Sequence, residues 1–243
     1  MRVAAVQYRA RKGDVEGSRR RLVALAERAA PGVDLLVLPE MAVTGYVFPD
    51  RAAVAAVAER PDGPTFRAVS SVARRHHCWA VAGFPEAAGD ALYNSAMVVD
   101  PSGSLAFVYR KTLLYDEDVH WATPGDSGYR TFTTEAGRFT VGICMDLNDT
   151  AFCAWVDRED VDAVAFPTNW VESDTDIDLF TYWAWRMGRS RAALVAANTW
   201  GREAHVRFSG CSAVLERRVL LAHLPATGDG FLRADLHPTV KDA

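Results

Sequence analysis

Val33-Asp34-Leu35-Leu36-Val37-Leu38-Pro39-Glu40 is an apolar run that stops abruptly at a proline and a carboxylate. A run this short, apolar at nearly every position, reads as a strand from Val33 to Leu38 that is buried on both faces. Such a strand needs covering layers, and its surroundings supply them. Upstream, Val3 to Gln7 reads as a strand and Val15 to Ala30 as a helix, with Leu22, Leu25, Ala26 and Ala29 at helical spacing. The chain therefore opens β-α-β. Downstream, alanine-rich helical segments (Arg51 to Glu59, Thr65 to His77) precede strands at Trp79 to Phe84, Ser95 to Val99 and Leu105 to Tyr109. The last two strands are joined at the turn Asp100-Pro101-Ser102-Gly103. Further on come a helix near Ala151 to Val156, a strand from Val161 to Phe166, a helix around Leu179 to Arg191 and a strand from Leu194 to Ala197. Strands at Cys211 to Leu215 and Val219 to His223 follow. Interleaved strands and helices with hairpins predict mixed sheets covered by helices, and composition leaves the number of layers open.

A second apolar run, Arg138-Phe139-Thr140-Val141-Gly142-Ile143-Cys144, ends on a thiol and passes at once into Met145-Asp146-Leu147-Asn148. A thiol where a buried strand meets a polar turn is held from behind and open in front, as a nucleophile requires. A lone cysteine is more often a small buried hydrophobe. Two other strand ends alter that balance by carrying the partners a thiol needs, Leu38-Pro39-Glu40 and Tyr109-Arg110-Lys111.

Composition bounds the rest. A chain of 243 residues, 49% hydrophobic, can bury a substantial core, and one domain over residues 1–243 is expected. The net charge of -4 argues against nucleic acid as a partner. No apolar h-region opens the chain, and no stretch approaches the roughly 18 apolar residues of a membrane span, so a cytoplasmic protein without a membrane partner is expected. Cys78, Cys144, Cys153 and Cys211 form no paired spacing, which predicts free thiols. His76 and His77 beside Cys78, and the isolated His205 and His223, lack partners at ligand spacing, so neither metal nor cofactor is expected.

Five segments taken together, VDLLVLPEMAVTGY (33–46), VYRKTLL (108–114), VGICMD (141–146), AFPTNW (165–170) and FSGCSAV (208–214), resemble the nitrilase, or carbon-nitrogen hydrolase, superfamily in order and spacing. The resemblance runs along essentially the whole chain. It implies a four-layer αββα sandwich of two mixed β-sheets, with the site at strand ends and subunits paired as a homodimer or higher homo-oligomer. It also implies Cys144 as nucleophile, Glu40 as general base and Lys111 as the ammonium beside the carbonyl oxygen, with the Met145 N–H as a second donor to that oxygen. The family often places a second glutamate before a Pro-Gly, here Pro124-Gly125; Glu117, Asp118 and His120 are the candidates for that role, with Asp118 preferred. Tyr46, Met145, Asp146, Asn169 and Trp170 are implied as pocket residues.

Some residues depart from the family pattern. Arg189 stands where relatives often carry glutamate, and Met145 and Leu147-Asn148 replace the usual residues after the nucleophile. The segments CMDLN (144–148), LPEMAVTGY (38–46) with Phe48 soon after, and RKTLLYDEDVHW (110–121) resemble the protein N-terminal amidase branch, which deamidates N-terminal Asn or Gln of proteins and peptides. A free α-ammonium calls for a carboxylate, and Asp116, Glu117, Asp118 and Asp146 are the expected acids, with the loop Glu172 to Asp178 as a possible extension. The resemblance leaves several outcomes open: an ω-amidase, an N-carbamoyl amine or aliphatic amide hydrolase, an acyl transferase, or a catalytically silent scaffold.

Overall fold

The computed structural model describes residues 1–172 and 176–237. Strand β1 (Arg2–Gln7) leads through helix α1 (Val15–Ala29) to β2 (Leu35–Val37), which pairs in parallel with β1. Helices α2 (Arg51–Ala55) and α3 (Pro64–His76) precede β3 (Trp79–Ala88), β4 (Ala91–Val99) and β5 (Leu105–Arg110), and a single helical turn, α4 (Asp116–Val119), follows. The second half holds β6 (Thr131–Thr134), β7 (Gly137–Val141), α5 (Thr150–Glu159), β8 (Ala163–Thr168), α6 (Leu179–Arg186) and β9 (Ala193–Asn198). It closes with β10 (Trp200–Glu203), β11 (Val206–Ser209), β12 (Ala213–Glu216), β13 (Val219–His223) and β14 (Gly230–Asp235).

These strands form two six-stranded mixed sheets, ordered β14-β1-β2-β3-β4-β5 and β13-β12-β9-β8-β7-β6, with β10 and β11 as a separate hairpin. The alternation of side chains along each strand builds the layers. Leu35 and Val37 of β2 point into the space between the sheets, against Val3, Val81, Ala165 and Val195. Leu36 and Leu38 point the other way, onto Leu22 and Ala26 of α1 and Val69 and Val72 of α3. In the second sheet, Val164, Phe166 and Leu194 face outward and are covered by Phe152 and Val156 of α5 and by Trp183 of α6. Both faces of each central strand are thus buried, which is why these segments are apolar throughout. The result is the αββα sandwich.

Several elements differ from their sequence reading. Helix α2 stops at Ala55, because its alanines bring little apolar area to hold a longer helix. Helix α6 ends at Arg186, where Gly188 at φ 57° breaks the helix, so Arg189 lies exposed beyond it. Strand β7 ends at Val141, and Cys144 opens a short 3-10 turn instead of closing a strand. Strands β6, β10, β11 and β14 lack strong alternation and went unforeseen; β14 pairs antiparallel with β1, more than 220 residues away in the chain. The hairpin between β4 and β5 forms as expected, with the Asp100 carboxylate accepting the N–H groups of Ser102 and Ser104.

Candidate active site

Strand β2 is parallel to β1 in one sheet and β7 to β8 in the other, and the Asn169 N–H beyond β8 reaches Glu40 beyond β2, so these carboxyl ends meet at one side of the sandwich, where crevices of such sheets form. Glu40 follows β2, Cys144 follows β7, Asn169 follows β8, and Lys111 follows the antiparallel β5. All four are buried.

Two close backbone contacts hold the first pieces. Gly83 of β3 lies so near the Glu40 turn that a Cβ there would come within 2.4 Å of the Glu40 Cα. Gly125, in the Pro124-Gly125 pair, donates its N–H to the Lys111 carbonyl at 2.8 Å, and a Cβ there would fall 2.1 Å from the Arg110 carbonyl oxygen. Glycine is required at both positions because the neighbour is backbone and cannot rotate away. Cys144 has φ 44°, an unusual conformation for a residue with a side chain, held by the turn that follows.

That turn is anchored by Asp146. Its Oδ1 accepts from the Thr112 N–H, the Thr112 hydroxyl and the Leu113 N–H at 2.8–3.0 Å. Its Oδ2 accepts from the Tyr109 hydroxyl at 2.7 Å and the Ile143 N–H at 2.9 Å. Asp146 therefore ties the segment after Lys111 to the segment before Cys144. This corrects its expected place as a pocket acid: it is fully buried, and both oxygens are occupied.

Lys111 sits between two carboxylates. Its Nζ donates to Glu40 Oε1 at 2.8 Å and to Asp118 Oδ2 at 2.5 Å, with all three side chains sealed from solvent. The other Glu40 oxygen accepts the Asn169 N–H at 2.7 Å. Burial alone would pull the Lys111 ammonium down, but Asp118 and then Glu40 hold it well above the ordinary lysine value. Burial pushes the Glu40 carboxyl up, and Asp118 adds to the rise against the pull of Lys111. Burial, and then the charge of Glu40, push the Cys144 thiol up to about 12, with Lys111 opposing. The thiol is therefore neutral at pH 7 and lies beside a carboxylate with raised proton affinity.

Of the three candidates for the auxiliary acid, only Asp118 reaches the lysine. Glu117 bonds to His205 at 2.8 Å, and His120 is exposed. Cys144 opens into a cavity of about 550 Å³ walled by Met145, Trp170, Tyr115, Asn148, Leu179 and Tyr182. Of the expected pocket residues, Trp170 and Met145 line this cavity. Tyr46 instead lies beneath the site, its ring centroid 5.8 Å from the Lys111 Nζ, and Asn169 contributes its backbone N–H to Glu40. Asp116, Glu117, Asp118 and Asp146 do not line the cavity; among the described residues its one lining carboxylate is Glu172, paired with Arg207 at 2.9 Å. Of the acidic loop from Glu172 to Asp178, residues 173–175 lie outside the described residues. Among the described residues no cluster of side chains suits a metal, and no helix is long and apolar enough to cross a membrane.

Asn94, Tyr115 and Tyr182 were not singled out from the sequence. Asn94 had a signal: Asn94-Ser95 is a polar pair inside the otherwise apolar strand β4, and a buried polar side chain calls for a partner. The tyrosines had none.

The chain belongs to the carbon-nitrogen hydrolase family, whose model matches residues 2–240. It is an enzyme of the amidase kind. A protein N-terminal amidase of Schizosaccharomyces pombe is 27% identical over 97% of this chain and 99% of its own length. The Saccharomyces cerevisiae protein of that name is also 27% identical, over 73% of this chain and 46% of its own. A crystal structure of an N-terminal amidase with an Asn-Glu-Ala peptide superposes with a TM-score of 0.82 over 96% of this chain and 97% of that one, at 18% identity. An amidase from Nesterenkonia sp. AN1, carrying acrylamide at its active-site cysteine, gives 0.82 at 22% identity over 98% of this chain and 93% of that one. At these identities the structural likenesses establish the fold.

Proposed function

We propose that this amidase uses Cys144 to release ammonia from the side-chain amide of N-terminal Asn or Gln in peptides. The reading is carried by the sealed Lys111 between Glu40 and Asp118, set beside a thiol that opens into a peptide-sized cavity. The names of the two yeast relatives support the substrate class.

The chemistry follows from the geometry. Cys144 Sγ attacks the amide carbon while Glu40 takes the thiol proton, because a thiol at about 12 has almost no thiolate at neutral pH. The Lys111 ammonium and the Met145 N–H meet the oxygen as it becomes negative; one such donor in a water-poor site is worth roughly 3 kcal/mol. Glu40 returns its proton to nitrogen as the C–N bond breaks, leaving a thioester and free ammonia. Water then gives a proton to Glu40 and adds to the thioester; the C–S bond breaks, the acid leaves, and the proton returns to sulfur. Asp118 keeps Lys111 charged and pointed throughout. Trp170, Tyr115 and Tyr182 offer ring faces, and Glu172 a carboxylate, to a cationic α-ammonium.

The mainly apolar cavity wall favours a second reading, hydrolysis of a small amide with an apolar acyl group. Ammonia release from Asn- and Gln-initiated peptides, α-ketoglutaramate, N-carbamoyl amines and aliphatic amides, with Cys144→Ala as control, separates the two. Turnover of the peptides alone supports the first reading, and preference for a small amide replaces it. We also place residues 1–243 in one domain, in the cytoplasm and as a homodimer. Support comes from the pairing of β1 with β14, from four free cysteines and from the exposed Trp185 on an outer helix.

A further inference from the structure

We infer that Asn94 is a positioning residue for the reaction, clamping Glu40 and Asp118 around Lys111 and keeping Glu40 available as a base. The inference rests on the proposed roles of Glu40 and Lys111. Asn94 lies on β4 opposite Pro85 and is fully buried. Its Nδ2 donates to Glu40 Oε1 at 2.7 Å and to Asp118 Oδ1 at 3.0 Å. Its carbonyl oxygen accepts the Lys111 N–H at 2.9 Å. One residue thus touches all three members of the buried charged cluster.

The side-chain orientation is fixed by chemistry. Both facing atoms are carboxylate oxygens, so only the NH2 can point at them, since an amide oxygen there would set acceptor against acceptor. The Oδ1 is left buried without a hydrogen-bond partner among the described residues. A buried amide that leaves its acceptor idle while both hydrogens go to carboxylates is placed for those two bonds.

The consequence concerns the proton on Glu40. The charged groups facing it are Lys111 and, across the ammonium, Asp118; the neutral but titratable Cys144 thiol and Tyr46 hydroxyl face it too. Lys111 favours the ionised carboxylate, and Asp118 opposes it. The Asn94 N–H also favours the ionised form, because it bonds to the charged oxygen. Without it, Glu40 holds its proton to higher pH and cannot accept the thiol's. Glu40 also loses one of the donors that set its oxygen against Lys111.

Asn94→Ala and the isosteric Asn94→Asp test this. Asn94→Ala is expected to lower kcat about 100-fold with KM within a few-fold, the scale of a misplaced reacting group. The acid limb of kcat/KM should move up by about one pH unit, the scale of one charged hydrogen bond. Asn94→Asp should be worse than Asn94→Ala, since it keeps the shape but turns two donors into acceptors; a residue needed only for shape would give the reverse order. A second readout requires no substrate. In protein labelled with carbon-13 at glutamate carboxyls, the Glu40 resonance, assigned by its loss in Glu40→Gln, should titrate about one unit higher in Asn94→Ala. Absence of turnover in the unaltered protein would defeat the proposed reaction and leave this titration to decide the role of Asn94. An unshifted Glu40 titration in folded Asn94→Ala overturns the inference, and so does a milder effect of Asn94→Asp than of Asn94→Ala. If Asn94→Asp fails to fold, the titration in Asn94→Ala decides alone.

Discussion

Arg110 and Lys111 are neighbours at the end of β5, and each meets carboxylates, yet they do different work. The Arg110 guanidinium grips both oxygens of Glu86 at 2.7 and 2.9 Å, reaches Asp126 at 3.0 Å, and lies over the Tyr93 ring. Its side chain keeps 23% of its exposure. Lys111 turns to the other side of the strand and keeps none, with two carboxylates for one charge. Arg110 is a planar fork matched by one planar partner, an arrangement that satisfies itself and binds strands together. Lys111 is a point charge shared between two carboxylates, next to a neutral thiol, and in the proposed reaction its ammonium also meets the oxygen of the bound amide. The lesson is that residue type and strand position are shared by the two sites, whereas enclosure and charge count separate structural from chemical use.

Removing Lys111 should show the difference at its largest. Lys111→Ala leaves Glu40 and Asp118 facing each other in a sealed site, so stability should fall by about 3–5 kcal/mol, the scale for stranding buried charge. Amide turnover should fall at least 1,000-fold, roughly the upper range for losing one oxyanion donor. Urea unfolding and ammonia release measure both; a variant that keeps its activity would end the assignment of Lys111 to the oxyanion. Asp146→Ala comes next. It strands five donors that join the lysine and cysteine segments, and a loss of about 2–4 kcal/mol is expected from that scale of unsatisfied groups. Turnover should drop with it, because the Cys144 turn loses its tie to Thr112. Stability lost with turnover unchanged would show that the tie does not position the thiol.

Glu86→Gln sharpens the comparison from the other side. It removes the charge under Arg110 but keeps an acceptor, and Arg110 retains Asp126 and water, so the expected loss is about 1 kcal/mol. Turnover should stay within a few-fold of the unaltered enzyme. A collapse of activity would mean that the Arg110 cluster reaches the chemistry through Ser95, which donates to Glu86 at 2.7 Å, and the neighbouring Asn94.

The parts that were legible in the sequence share a physical reason. Strands β2, β7 and β8 are buried on both faces, so their composition alone declares them, and the residues at which they stop being apolar are those at the site. Lys111 could be assigned only through the resemblance, because nothing in Arg110-Lys111 says which side chain turns inward; burial makes that choice. Asp146 was misplaced for a related reason. Sequence shows a carboxylate beside the nucleophile, whereas only the fold brings the N–H groups of Thr112 and Leu113 to it across more than thirty residues. Strand β14 was missed because its exposed positions break the alternation and its partner β1 is at the opposite end of the chain. The cavity acid Glu172 was present in the acidic loop, but its place beside Trp170 depends on the bridge between Val171 and Phe208 of β11.

A shift of about one unit in the thiol tests the state of the nucleophile. Burial, and then the negative Glu40, push Cys144 up to about 12 against the opposing pull of Lys111. Glu40→Gln removes a charge that opposes thiolate but leaves the ammonium, so the thiol pKa should fall by about one unit, the scale for a nearby charge. At any pH below both values the thiolate fraction then rises, and iodoacetamide should modify Cys144 up to about tenfold faster than in the unaltered protein. Amide turnover should nevertheless be lost, because no base remains to carry a proton to the leaving nitrogen or from the attacking water. Opposite signs for alkylation and hydrolysis in one variant would separate ionisation of the nucleophile from proton transfer. Slower alkylation in Glu40→Gln would show that Glu40 activates the thiol even toward a reagent with no leaving nitrogen, and that its charge matters less to sulfur than its capacity to take the proton.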